Sequence, residues 1–136
     1  MDGVLADFVG SACMVHGRSS DDATNWNFFE TWGMSEDEFW APINARGREF
    51  WSSLGSFPWT QDIVKVCEHL DPKFTLCTKP SRQADCLAGK LDWIHSRLGG
   101  GFRRYIFAPD KWHLAKPGRV LIDDSDDNCD RWIAAG

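Results

Sequence analysis

Beyond residue 60 the chain alternates between helical and extended patterns, and that alternation limits the folds open to it. Ile63, Val64, Cys67 and Leu70 recur at helical spacing after Thr60, which can serve as a cap, and Asp71-Pro72 ends the run. Lys73-Phe74-Thr75-Leu76-Cys77 then reads as a strand ending in Thr78. Ser81 is placed to cap a long helix with Leu87, Leu91, Ile94 and Leu98 on one face and Gly99 as its stop. Arg104-Tyr105-Ile106-Phe107 reads as a second strand, and Arg119-Val120-Leu121-Ile122 as a third, ending in Asp123-Asp124. A last helix begins near Asp127. Strands that alternate with helices imply parallel βαβ units, so the fold class is α/β.

The first sixty residues do not continue this rhythm. Leu5, Phe8, Val9, Ala12, Cys13 and His16 predict one helix, stopped by Gly17. An aromatic stretch from Trp26 to Trp59 follows, with Ser35-Glu36-Asp37-Glu38 as a capping box for a helix over about 36–45. It breaks the alternation as an inserted helical subdomain would. The expected organisation is a core over 1–17 and 60–136 with a helical cap over 18–59.

Charge and cysteine content narrow the function. The net charge is −5, and Arg103-Arg104 is the one basic cluster, so gripping a polynucleotide backbone is not expected. Five cysteines without a C-x-x-C pair argue against a disulfide framework or a zinc site, and predict a reducing, cytoplasmic setting. No apolar run approaches the roughly 20 residues that span a bilayer. The four histidines lack metal-ligand spacing.

In open parallel sheets, ligands bind beyond the carboxyl ends of the strands. The polar residues expected there are Thr78, the pair Asp123-Asp124, Lys111 in the loop between the last two strands, and Asp2 in the turn before the first helix. Adjacent carboxylates can hold Mg²⁺, and a hydroxyl and a lysine can hold phosphate oxygens. A carboxylate at the reacting centre can move a proton. Singly, each is an ordinary surface or capping residue; their order and placement carry the signal.

Four motifs add a resemblance. "MDGVLADF", "FTLCTKPS", "APDKWHLAKPG" and "VLIDDSDDN" resemble, in order, the four motifs of the 5′(3′)-deoxyribonucleotidase branch of the haloacid dehalogenase (HAD) superfamily, phage and bacterial members especially. The aromatic segments "WNFFETWGMSEDEFW" and "EFWSSLGSFPW" resemble the helical cap of that branch. The resemblance implies a Rossmann-like HAD core with a parallel sheet and a small cap inserted after the first helix. It implies an Mg²⁺-dependent phosphomonoesterase that hydrolyses (deoxy)nucleoside monophosphates through an aspartyl-phosphate.

By that resemblance Asp2 is the general acid/base and touches Mg²⁺ through its backbone carbonyl, Thr78 binds a phosphate oxygen, and Lys111 stabilises the transferring phosphoryl charge. Asp124 ligates Mg²⁺ with Asp123 in support. Lys79 stands where many relatives carry a small hydroxyl residue and is a further phosphate-contact candidate. Lys116 rivals Lys111, but Lys116-Pro117-Gly118 reads as a turn. Phe8 and Trp26 are the candidates for stacking on a base, while most other aromatics are expected to build the cap's core. The nucleophilic Asp would stand immediately before Met1, so the sequence is expected to be a fragment or mis-started reading that also lacks the first and last strands. The expected partner is a small nucleotide, with no nucleic-acid polymer and no membrane; a homodimer is an open option. Two other functions stay open: a silent nucleotide- or phosphate-binding protein, and a phosphatase with a non-nucleotide substrate.

Overall fold

The computed structural model describes residues 1–23, 25 and 27–136, with residue 22 described by its backbone only. Trp26, a predicted base-stacking residue, lies outside the described residues. Helices and short strands are mixed. A two-residue strand β1 (Ala6–Asp7) leads into α1 (Phe8–Val15), and a 3-10 turn (Ser20–Asp22) precedes α2 (Phe28–Thr31) and α3 (Glu36–Ser52). Then come β2 (Gly55–Ser56), α4 (Thr60–Leu70), β3 (Leu76–Thr78), α5 (Ala84–Leu98) and β4 (Tyr105–Phe107). A second 3-10 turn (Lys111–Leu114) and α6 (Asp126–Ala135) complete the order. Among the described residues no helix is long and apolar enough to cross a membrane, and no disulfide forms.

The α/β expectation holds at this level, and one parallel βαβ unit is present. β3 and β4 pair in parallel, Leu76 with Tyr105 through Thr78 with Phe107, and α5 connects them. Among the described residues no larger parallel sheet is formed. A second two-strand sheet pairs β1 with β2 antiparallel.

The predicted strand Arg119–Ile122 is absent. A strand exists only as one side of a hydrogen-bonded ladder, and no described strand lies beside this segment. Its β-branched side chains face solvent, Val120 at 88% and Ile122 at 52% exposure. The first predicted strand is also shorter than Lys73–Cys77, because only residues opposite β4 are paired.

Three local expectations about helix starts need correction. Helix α1 starts at Phe8 rather than Leu5, because the Asp7 carboxylate accepts the Gly10 N–H at 2.8 Å and caps it there. Thr60 is not a cap; its hydroxyl donates to the Leu5 carbonyl at 2.7 Å, and Trp59 takes the cap position. Ser81 sits ahead of α5, where its hydroxyl accepts the Gln83 N–H at 3.3 Å. By contrast, the capping box at Ser35 and Glu38 is made as predicted. Helix α3 runs on to Ser52, past the predicted end, through a kink at Gly47 with φ 55° and ψ −137°.

The buried face of α5 shares only Ile94 with the predicted leucine face, and Leu98 is partly buried against the core. Cys86, Gly89, Lys90, Trp93 and Ile94 are buried, whereas Leu87 is 39% exposed. The cause is α3, which packs along α5 more extensively than any other two elements pack. A Cβ on Gly89 would stand 2.5 Å from Trp51 Cβ, 3.1 Å from Ser52 N, and closer still to the Arg48 carbonyl oxygen. Only a glycine permits that approach. Arg48 and Asp92 close the same interface with a two-pronged pair at 2.5 and 2.7 Å. The Trp93 indole N–H donates to the Leu54 carbonyl at 2.8 Å, satisfying the polar atom of a fully buried ring.

Candidate functional site

The turn over residues 1–6 is wound around a single carbonyl. Met1 O accepts the N–H groups of Val4, Leu5 and Ala6 at 3.3, 2.8 and 3.0 Å. Gly3 adopts φ 72°, which a side chain would oppose. The Asp124 carboxylate also occupies the place where a Gly3 Cβ would stand. The Met1 amino group reaches Cys77 O in β3 at 3.3 Å, which seats Asp2 at the end of that strand. Burial drives the Met1 amine below its ordinary value.

Around this turn the predicted residues fall into two clusters. In the first, Thr78 closes β3, fully buried, and its hydroxyl donates toward Asp2 Oδ2 at 3.5 Å. In the second, Lys111 and Asp123 form a buried ion pair. Asp123 also accepts from Asn128 Nδ2 at 2.8 Å and from the Ser125 N–H at 3.2 Å. Burial by itself raises the Asp123 carboxyl, but the hydrogen bonds from Lys111 and Asn128 outweigh it and hold the group below its ordinary value. Asp124 behaves oppositely: partial desolvation, with Asp123 beside it, pushes its carboxyl up.

Sequence reasoning missed Lys90. It projects from the buried face of α5 at 1% exposure and pairs with Asp2 Oδ2. It donates further to Thr78 Oγ1 at 3.0 Å and to the Lys79 carbonyl at 2.6 Å. Its three N–H donors therefore have three acceptors. The signal was available: a lysine flanked on its helix face by Cys86, Gly89 and Trp93 is an ammonium in an apolar stripe, and such a group is buried only when paired.

Other predicted residues are placed differently. The Lys79 side chain is exposed, and the residue joins the cluster through its carbonyl. Lys116 lies exposed in a turn, as expected of it, with its carbonyl accepting the Arg119 N–H. Phe8 stacks on Trp51 with centroids 5.6 Å apart and packs edge-on to Phe50, so its ring belongs to the aromatic core.

For a divalent cation, Asp2 and Asp124 are the open pair. Asp2 Oδ1 is buried and has no hydrogen-bond partner. Among the described residues no lysine or arginine forms an ion pair with Asp124. No group of three His, Cys, Asp or Glu side chains converges among the described residues. Mg²⁺ commonly takes one or two carboxylates and completes its shell with water and substrate oxygens, so this donor set fits it. Asp123 is committed to Lys111, Asn128 and Ser125.

The first cluster thus holds a buried ammonium, a hydroxyl and the Asp2 carboxylate, and the second a buried ammonium and the Asp123 carboxylate, with Asp124 next in sequence. Such a set can neutralise a dianion and move a proton. No family model matches the chain, and no curated protein or solved structure matches it.

Proposed function

We propose that the chain is the Mg²⁺-dependent phosphomonoesterase of HAD type that its four motifs resemble, acting on (deoxy)nucleoside monophosphates. One observation carries this above the others: buried Lys90 pairs with Asp2 and donates to buried Thr78 at the end of a parallel strand. A buried ammonium and a hydroxyl at a strand end match a phosphate group.

In this proposal the Thr78 hydroxyl and the Lys90 and Lys111 ammonium groups donate to phosphate oxygens. Asp2, already within reach of Lys90 and Thr78, protonates the leaving nucleoside oxygen and later takes a proton from water. Asp2 and Asp124 would hold Mg²⁺, which supplies charge neutralisation on the transferring phosphoryl group. By the resemblance, the phosphoryl acceptor is an Asp directly ahead of Met1.

Two observations favour the rival functions. Asp2 is the one carboxylate at Lys90 and Thr78 among the described residues, as in a protein that binds phosphate without turning it over. Phe8 is spent on Trp51 instead of a base, which suits a non-nucleotide substrate. The test is Mg²⁺-dependent phosphate release from deoxynucleoside monophosphates and from sugar phosphates. It compares the chain as given with one preceded by an apolar strand ending in Asp. Release from nucleotides by the extended chain, lost in Asp2→Asn, is the expected result. Binding without release in both chains overturns catalysis in favour of the silent binder, and release from sugar phosphates alone overturns the substrate class.

A further inference from the structure

A lysine side chain has four rotatable bonds, so an ammonium held at one point needs walls as well as acceptors. The acceptors around Lys90 are Asp2, Thr78 and the Lys79 carbonyl. One wall is aromatic. Lys90 Nζ lies 5.0 Å from the centroid of the Trp51 ring. Trp51 is 3% exposed and belongs to the far end of α3, in the segment read from sequence as the cap. An ammonium over an indole face is drawn to the ring quadrupole, and more strongly when water is excluded.

The ring is itself braced. Phe8 stacks on it at an interplanar angle of 15°, and Phe50 meets it edge-on at 5.1 Å. Gly89, one residue before Lys90, lets Trp51 sit this close to α5. Sequence neighbours Gly89 and Lys90 therefore do complementary jobs: one admits the indole and the other uses it.

We propose that Trp51 is a positioning residue whose indole face holds the Lys90 ammonium against Asp2 and Thr78. The helical insert then contributes to the strand-end cluster through Lys90, without touching the phosphate. Only the consequence for phosphate rests on the phosphomonoesterase proposal; the placement of Lys90 does not.

The test is pulse labelling of the full chain with an amine-reactive ester, read lysine by lysine by mass spectrometry. The exposed Lys65, Lys73 and Lys116 serve as internal standards. Parent, Trp51→Phe and Trp51→Leu are compared, and the dissociation constant of inorganic phosphate is measured on the same samples. Lys90 is expected to label about fivefold faster in Trp51→Phe and about thirtyfold faster in Trp51→Leu, in the order of ring strength, with the standards unchanged. A folded Trp51→Phe chain that labels Lys90 at the parental rate overturns the proposal, even where Trp51→Leu fails to fold. An equal rise at every lysine also overturns it, because that is general loosening. If Lys90 follows the expected order while phosphate affinity stays constant, the positioning stands and the phosphomonoesterase proposal falls.

Discussion

Gly89→Ala separates two opposite expectations by sign. In an ordinary helix interior the change gains about 1 kcal/mol, because alanine is the better helix former. In α5 the new methyl would meet Trp51 Cβ at 2.5 Å and the backbone of Arg48 more closely, with Ser52 N at 3.1 Å. Ordinary contact begins near 3.4 Å, so α3 and α5 must part by about 1 Å. Backbone atoms cannot rotate out of the way, so the two helices move as bodies. Overpacking of this kind costs roughly 1–3 kcal/mol. A gap of about 1 Å forfeits up to half of the dispersion contact along the rest of the interface. Taking about 3 kcal/mol of loss against about 1 kcal/mol of propensity gain leaves a net loss of about 2 kcal/mol. For a chain of this size that is a fall in Tm of roughly 5–10 °C. Circular-dichroism melts and urea titrations measure it, with the midpoint lowered and the slope unchanged. A Gly89→Ala chain as stable as the parent, or more so, would refute the close packing of α3 on α5, and with it the seat of Trp51 over Lys90.

Three more outcomes are expected. Gly47→Ala forces a side chain into φ 55°, ψ −137° and to within 2.8 Å of Asp85 Oδ2. It should destabilise by about 1–3 kcal/mol in a urea titration, and adding Asp85→Ala should recover only the steric part. Asp123 and Asp124 should show opposite pH signs in melts from pH 3 to 7 without metal. The depressed folded value of Asp123 means its stabilisation is present above about pH 3.9 and lost as pH falls through the folded value, so Asp123→Asn lowers Tm most at pH 7 and progressively less as pH falls below that range. The raised folded value of Asp124 means its contribution is present below about pH 3.9 and lost as pH rises through the folded value, so Asp124→Asn raises Tm at pH 7. Mg²⁺ should raise Tm with concentration, by about 2.7 kcal/mol of stability at a hundred times its Kd. Asp124→Asn should remove that response, and a response that survives would take Asp124 out of the metal site.

Local rules decided which features could be foreseen. The Ser35–Glu38 capping box needs only four consecutive residues, and it is made. Gly17 and Gly99 stop their helices with φ of 64° and 94°, again a property of single positions. The strand Arg119–Ile122 failed because strand structure is a property of pairs, and its composition says nothing about whether a neighbour lies beside it. Thr60 has capping chemistry, but capping loses when the Leu5 carbonyl lies in reach of its hydroxyl; the Ser81 hydroxyl instead accepts the Gln83 N–H ahead of α5.

The face of α5 shows why the site was harder to foresee than the elements. Periodicity gives the same weight to the stripe through Leu87, Leu91, Ile94 and Leu98 as to the one through Cys86, Gly89, Lys90 and Trp93. The first has more apolar carbon, and a rule based on hydrophobicity alone chooses it. The second turned inward, with Ile94 of the first, because Gly89 lets α3 approach as no larger residue would, and because Trp93 found the Leu54 carbonyl for its indole N–H. Once that face turned inward, Lys90 had to come with it. Burying an ammonium is tolerable only where acceptors wait, and Asp2, Thr78 and the Lys79 carbonyl supply them. Helix packing and site chemistry therefore constrain each other: the glycine that seats α3 also commits the lysine to the end of β3.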